Sequence, residues 1–411
     1  MNTSTRRKIK IASLVASAFL FCHTGSWAQQ KAVSECPTDS AAKVIFKGET
    51  NMAYPLLQQV DKLHDSNENI IFSPLGTANA LSLLANGAKG ITLDQITAAL
   101  GTEDLDAEKT CDAYGKLNDY LSNAPREVNF KTAYSLWVSN QFKLKNDFVT
   151  KNRNFLKAEI RNTNLGIDMT RTEINRWCEK NSIRKFSNVF TQPFGSETKF
   201  VLLNTQFFNG TWMHTFNPDV TRQMEFTNAD GTKSKVMMMQ QQNYYHVYTG
   251  DKLDMLRLPY IKGKFYMEIY LPHKGENLDD CLKNFNKKQD LQMRKHTSKQ
   301  KVNIDLPRME LKCATSLIEP LKAMDVTDAF SSEADLPGIA EGAVSVSEIR
   351  QLTFLEISER GTDAINPDDK PFDGGDITVK PFYFTVNRPF FFTIRESKSN
   401  TIIFMGKVRK L

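Results

Sequence analysis

Residues 352–411 constrain this chain more than any other stretch. An apolar segment, LTFLEISERGTDA, gives way to a run rich in Pro, Gly and Asp, after which FTVNRPFFFTIRESKSNTIIFMGKVRKL continues to Leu411. Alternating apolar residues mark strands, and Pro/Gly/Asp clusters mark segments that join neither helix nor sheet. The order is therefore strand, exposed tether and two further strands, with the tether held at both ends. The terminal IIFMGKV is continuously apolar, as a strand covered on both faces must be.

The opposite end reads MNTSTRRKIKIASLVASAFLFCHTGSWAQQ, with Arg6, Arg7, Lys8 and Lys10 ahead of an apolar run and small Ser26 and Ala28 flanking Trp27. This is the pattern of a secretory signal peptide over residues 1–28, cut after Ala28, and it predicts a mature chain 29–411 outside the cell or in the periplasm. The apolar run, Ile11 to Cys22, is 12 residues long, short of the roughly 20 that a bilayer span needs, so no membrane partner is expected. Bulky Leu20 and Phe21 argue against lipid attachment at Cys22.

The formal net charge of +6 falls to +2 once the four basic residues of that segment are removed. Such a balance does not point to nucleic acid. The one basic cluster, Lys287, Lys288, Arg294, Lys295, Lys299 and Lys301, is broken by polar residues, carries no interleaved aromatics and reads as a solvated face. Five cysteines remain after processing, Cys36, Cys111, Cys178, Cys281 and Cys313, an odd and irregularly spaced set that is no disulfide framework. In an oxidising compartment Cys36 and Cys111 could tie the N-terminal tail to an early helix. Cys178 reads as a small buried apolar residue.

A mature chain of this length often divides, yet no Pro/Gly/Ser-rich linker interrupts it between Ala42 and Asn366, so a single domain is expected. In SPLGTANALSLLANGAKG, Ser73 is placed as a helix cap, Pro74 opens the first turn, and Leu75, Ala78, Leu81 and Leu84 share one face up to Gly87. TLDQITAALG repeats the logic, with Thr92 as cap and Gly101 as stop. From Phe130 onward strand period takes over: Phe265, Met267, Ile269 and Leu271 alternate with their neighbours, as do Val302, Ile304 and Leu306. Helices first and strands later, without βαβ alternation, predict an α+β fold.

None of the five mature histidines, His64, His214, His246, His273 and His296, stands at metal-ligand spacing from another donor. HExxH, CxxC, GxSxG, P-loop and GxGxxG patterns are missing. The residues suggest neither an enzyme nor a cofactor or metal site.

Several separated segments together resemble one family. Glu359, Gly361, Thr362 and Ala364 match the hinge of the serpin reactive loop; Asn387, Arg388, Pro389 and Phe390, with Phe404, Met405 and Gly406, match the C-terminal signature of the same family. NIIFSPLGTANALSLLANGAKG resembles its early helix through Asn69, Ser73 and Pro74. FVLLNTQFFNGTWMHTFNP resembles the strand passing under its opening sheet through Asn204, Gly210, Trp212 and Phe216. LRLPY at 256–260, Leu271 with Pro272, LPRMEL at 306–311 and MDVTDAF at 324–330 follow in family order. The resemblance runs from about Ala42 to Leu411.

The resemblance implies helices packed around a large central mixed β-sheet, further sheets and an exposed reactive-centre loop over about 359–383. It implies a monomer whose partner is a serine or cysteine protease, trapped when the cleaved loop inserts into the sheet. Counting along the family's loop puts the cleaved bond between Gly375 and Asp376; a glycine there, with Phe372 upstream, suits an elastase-like or papain-like enzyme. Ser73, Asn204, Trp212, Arg308 and Gln351 fall at positions that govern opening of the sheet, and Arg308 and Glu359 at positions that pair near its top. Gln351 stands where the family usually has histidine; its amide can bond Asn204 and Ser73 but cannot titrate.

One stretch departs from the pattern. Ile365, Asn366, Pro367 and Asp368 replace the usual run of small alanines. With period 2, Asn366 and Asp368 would turn inward on insertion, and Pro367 would remove a ladder donor from a central strand. A slow trap is cleaved as a plain substrate, so a serpin-fold binder or protease substrate stands as the rival reading.

Overall fold

Helices dominate the first part of the chain and strands the rest, as the periodicities predict. The computed structural model describes residues 35–124, 127–361 and 380–411. The expected signal segment 1–28, Thr362, Ala364, Ile365, Asn366, Pro367, Asp368 and the bond between Gly375 and Asp376 lie outside them.

The chain opens with α1 (Ser40–Asp61), β1 (Ile70–Phe72), α2 (Pro74–Ala85), α3 (Gly90–Leu100) and α4 (Ala107–Ser122). Next come β2 (Val128–Ser139), β3 (Lys143–Leu144), α5 (Asn146–Leu156), β4 (Glu159–Thr163), α6 (Asp168–Asn181) and β5 (Phe200–Gly210). Then follow β6 (Arg222–Thr227), β7 (Lys233–Thr249), β8 (Leu253–Pro259), β9 (Phe265–Pro272), α7 (Leu278–Leu282) and α8 (Lys287–Lys295). The remainder is β10 (Ser298–Pro307), β11 (Met309–Ser316), α9 (Ile318–Lys322), β12 (Ala340–Glu341), β13 (Glu348–Ile357), β14 (Phe382–Thr385), β15 (Phe390–Glu396) and β16 (Ile402–Val408).

Two sheets carry the architecture. A nine-stranded sheet runs β1-β16-β15-β9-β8-β7-β10-β14 with β6 attached to β7, and a five-stranded mixed sheet runs β11-β13-β5-β2-β4. The expected α+β class and mixed central sheet are both present.

Local chemistry accounts for the early helices. Ser73 caps α2, its hydroxyl accepting from Gly76 N at 3.0 Å, and Pro74 occupies the first turn, where its missing N–H has no cost. The single apolar face expected for α2 understates its burial: every residue from Pro74 to Ala85 is buried, because α2 packs against β16, β5 and β13 as well as against α1, α3 and α4. Gly101 ends α3 in the left-handed region, at φ 62°, as its place in the sequence predicts. Thr92 does not cap α3. The helix begins earlier, at Gly90, and the Thr92 hydroxyl instead accepts from Asp335 N at 2.9 Å, a tertiary contact with no local signature.

The strand alternation holds in β10 but not in β9, where all eight residues are buried. Between its apolar residues β9 carries Glu268, fully buried, with Oε1 at 2.7 Å from Arg257 Nη2 and 3.2 Å from Arg294 Nε, and Oε2 at 3.1 Å from Arg395 Nε. Arg395, itself fully buried, also reaches Asp290 at 2.9 Å. Charges at both signs let a strand be covered on two faces without an unpaired ion. The expected solvated basic face holds for Lys288, Lys295 and Lys299, which are exposed, but not for Arg294, which turns inward to Glu268, nor for Lys301, which is only 7% exposed.

The expected bridge between Cys36 and Cys111 is not formed, and the five described cysteines are all free thiols. Cys111 lies on the inner side of α4, its Sγ 3.9 Å from Asn152 Oδ1, whereas Cys36 sits on the tail with its Sγ 3.7 Å from the Pro37 carbonyl. Cys178 is fully buried as expected, and burial pushes its thiol pKa up to about 12. No described helix is long and apolar enough to cross a membrane.

The main core fills the space between the sheets and α1–α4. A second cluster, including Trp137, Ile174, Trp177, Leu203 and Phe354, lies between α6 and the five-stranded sheet. Strand β5 is therefore covered on both faces.

Candidate functional site

The seam between β13 and β5 is the parallel joint in the middle of the five-stranded sheet. It is parallel and runs from Glu348 opposite Val201 to Phe354 opposite Phe207; parallel ladders have slanted bonds and are slightly less stable per residue than the antiparallel ladders flanking it. Beyond Phe354 and Phe207 the two strands continue to Ile357 and Gly210 without pairing to each other.

At that open end the chain turns sharply. Ser358 N donates to Gly361 O at 2.7 Å and Gly361 N donates back to Ser358 O at 3.0 Å. The Ser358 hydroxyl reinforces the turn by donating to Gly361 O at 2.6 Å. Gly361 forms antiparallel bridges to both Ser358 and Thr211, so it already stands between the ends of β13 and β5. Its φ is +113°, a region essentially closed to other residues, and a Cβ there would lie 1.9 Å from the Gly210 carbonyl oxygen. Glycine is required twice over.

A clasp holds this turn. Trp212, 1% exposed, donates from N to Arg360 O and from Nε1 to Ser358 O, both at 3.0 Å, while its ring stacks on Tyr260 at 4.4 Å. Phe216 N donates to Glu359 O at 2.8 Å. The Glu359 carboxylate accepts from the Arg308 guanidinium and, at 2.8 Å, from the Thr221 hydroxyl. Burial by itself would raise the Glu359 pKa, but the hydrogen bonds from Arg308 and Thr221 outweigh it and hold the group below its ordinary value. The structure thus brings Glu359, Arg308, Trp212 and Gly361 into one group. Thr221 and Tyr260 belong to it too; Tyr260 closes the LRLPY segment without a role being assigned to it there, and Thr221 does not stand out in the sequence, because each contributes through a tertiary contact rather than through a spaced motif.

Farther down the seam, Gln351 faces the N-terminus of α2. Ser73 N donates to Gln351 Oε1 at 2.7 Å, and Gln351 Nε2 donates to Ser73 O at 3.0 Å and to Thr77 Oγ1 at 3.4 Å. The bond expected from Gln351 to Ser73 is present. The one to Asn204 is not: Asn204 lies opposite Gln351 in the parallel ladder, yet both of its buried amide atoms have no hydrogen-bond partner among the described residues. Gln351 spends its amide on Ser73 and Thr77, and nothing else replaces it. Gly76 packs where a Cβ would meet Gln206 Nε2 at 2.6 Å, Gln351 Nε2 at 2.8 Å and Asn204 Oδ1 at 3.0 Å, so α2 presses directly on the seam amides. Buried amide groups left unpaired cost roughly 1–3 kcal/mol each, which makes the seam less stable at this point.

Among the described residues no group of three His, Cys, Asp or Glu side chains is placed to hold a metal ion.

Comparison with known proteins agrees with this geometry. Serpin I2 of Homo sapiens is 28% identical over 379 residues, covering 90% of this chain and 92% of its own length. Neuroserpin of Gallus gallus is 29% identical over 355 residues, 83% of this chain and 86% of its own. A solved structure of native protease nexin-1 with heparin superposes with a TM-score of 0.80 at 26% identity, covering 90% of this chain and 100% of that one. The family model described as serpin (serine protease inhibitor) matches residues 47–411, and the chain therefore belongs to the serpin family.

Proposed function

We propose that this serpin is a secreted suicide inhibitor of serine or cysteine proteases. The observation that carries the reading is the position of Gly361, bridged to Thr211 and Ser358 at the unpaired end of a parallel seam. A strand following Gly361 into that seam would run antiparallel to both neighbours, the more favourable pairing.

In the proposed reaction the protease serine oxygen or cysteine sulfur adds to the Gly375 carbonyl carbon. The bond to Asp376 breaks, the Asp376 nitrogen leaves with a proton from the protease's general acid, and Gly375 stays joined to the enzyme as an acyl group. Insertion of the residues after Gly361 then carries the enzyme away from its leaving group before water can release it. Each inserted residue gains ladder bonds at about 0.5–1.5 kcal/mol net and buries alternate side chains at about 25 cal/mol per Å². About a dozen residues supply on the order of 10 kcal/mol, comparable with the stability of a typical domain and enough to deform an enzyme. Glu359, Gly361, Thr362 and Ala364 act as hinge in this scheme, and Ser73, Asn204, Trp212, Arg308 and Gln351 govern the opening. The pattern of residues 1–28 supports export, with a mature protein beginning at Gln29, which N-terminal sequencing of exported material checks.

Residues 366–368 favour a second reading, a serpin-fold binder or protease substrate without the trap, because they place amide, proline and carboxylate where a strand must be buried. One experiment separates the two. The protein is incubated with elastase-like, papain-like, subtilisin-like and trypsin-like enzymes and analysed on denaturing gels. A covalent complex that survives SDS, abolished by Thr362→Arg while cleavage persists, is expected for the inhibitor. Clipped protein alone with every enzyme, and no rise in its thermal midpoint, would overturn that reading.

A further inference from the structure

A cavity of about 530 Å³ lies beside the corner that joins β14 to β15. Ala229 from the turn between β6 and β7, Glu276 from the segment after β9, Leu278 at the start of α7, Arg388 and Pro389 from the corner, and Arg409 from the C-terminus line it. Its size is that of an ordinary small-molecule site.

The charges around it are all accounted for except one. Arg409 and Lys407 share Asp61 and Asp279 at 2.7–2.8 Å, two cations against two carboxylates. On the rim, exposed Lys274 offsets exposed Glu276. Arg388 remains. A guanidinium has five N–H donors: Nε of Arg388 donates to Pro272 O at 2.7 Å, and Nη1 donates to Thr385 O at 3.3 Å and Asn387 Oδ1 at 3.1 Å. These acceptors are uncharged. Nη2 keeps both hydrogens without a partner, and no carboxylate among the described residues lies within ion-pair distance of Arg388.

Burial lowers the Arg388 pKa, and Asp254 offsets part of that effect from a distance. Asp254 is committed elsewhere, its Oδ1 lying 3.1 Å from His273 Nε2 and accepting from Gly250 N at 3.3 Å. A partly buried cation with two idle donors, facing a cavity whose other charges cancel, is complementary to a single negative charge. With Nε and Nη1 occupied, Nη2 alone is left for a ligand, and a dianion would leave surplus negative charge beside Glu276 and Asp279. Leu278, which is buried, and Pro389 add apolar side chains to the lining of the same cavity.

We propose that this cavity binds a small monoanionic carboxylate with an apolar body, the carboxylate on Arg388 Nη2 and the body against Leu278 and Pro389. The site is independent of the inhibitory reading and is tested apart from it.

Isothermal titration of the full-length mature protein with octanoate, octanol and inorganic phosphate provides the test. Saturable octanoate binding with a Kd below about 1 mM is expected, and octanol and phosphate should bind at least about tenfold more weakly. Arg388→Gln removes the cation but also three bonds that hold the corner. Ala229→Trp is therefore made alongside, since it fills the cavity from an exposed position and leaves every Arg388 bond in place. Both variants should weaken octanoate binding by about tenfold or more. The proposal is overturned by no saturable octanoate binding up to about 10 mM, by octanol or phosphate binding as well as octanoate, or by unchanged affinity in Ala229→Trp.

Discussion

Gly361 and Gly210 approach so closely that a β-carbon on Gly361 would sit 1.9 Å from the Gly210 carbonyl oxygen. Both the contact and the φ of +113° forbid a side chain, and the atom in the way is backbone, which cannot swing aside. Gly361→Ala should therefore pull the turn away from Thr211 and release the Ser358 carbonyl from Trp212. We expect a loss of about 1–3 kcal/mol in urea unfolding. An SDS-stable protease complex, where the native protein forms one, should weaken in parallel.

The Arg308–Glu359 pair makes the clasp sensitive to acid. The folded Glu359 pKa is depressed, so its contribution to stability is present above the ordinary carboxylate value and is lost as pH falls through the folded value, that is, below about pH 4.5. Arg308 is 48% exposed, so solvent screening keeps the effect to about 1 kcal/mol or less. Unfolding curves at pH 6 and pH 3.5 should diverge less for Glu359→Gln than for the native chain. Equal divergence would remove Glu359 from the account.

Glu49 acts in the opposite sense. It is buried in α1, with Ile402 N donating to both carboxylate oxygens at 3.3 Å, and burial pushes its pKa up to about 8 against lowering by Ile402, Arg395, Thr50 and Lys287. The folded state binds a proton that the unfolded state has already lost, so stability is full below about pH 4.5 and falls as pH rises to about 8. Glu49→Gln should flatten that decline and leave the variant more stable than the native chain at pH 8.5 by a few kcal/mol, to order of magnitude. Paired denaturant titrations at pH 5 and pH 8.5 read the difference.

Removing one member of the buried ion network should be far more damaging than removing a surface pair. Arg395→Met leaves Glu268 and Asp290 without the cation that lies 3.1 and 2.9 Å from them, in a site closed to solvent. A loss of about 3–5 kcal/mol is expected, seen as a lower urea midpoint with unchanged slope.

Thiol chemistry should follow burial. Burial pushes the Cys111 and Cys178 pKa values up to about 12, so neither should react with a thiol reagent in the native protein at neutral pH, and both should react after unfolding. Mass spectrometry of non-reduced peptides should find Cys36 and Cys111 unpaired.

Much of the fold was legible because its signals are local. Ser73 and Pro74 start α2, Gly101 stops α3 and the continuous apolar run of β16 marks a doubly covered strand, each through the chemistry of a few adjacent residues. The site was legible only through a resemblance. Arg308 and Glu359 are 51 positions apart, and no period or spacing brings them together. Thr92 shows the limit from the other side: it has the chemistry of a cap and is used as a tertiary acceptor instead.

The sequence alone determined the class of fold and the family through its separated motifs, since hydrophobic period and caps are written within a few residues. Tertiary structure decided what those residues meet. It left Cys36 and Cys111 as thiols, turned Arg294 inward, gave Gln351 to Ser73 and Thr77 while Asn204 stayed unpaired, and left Arg388 with two idle donors over a cavity. The physical reason is that hydrogen-bond and charge partners are assigned by packing between distant segments, and each donor or acceptor spent on one neighbour is lost to every other.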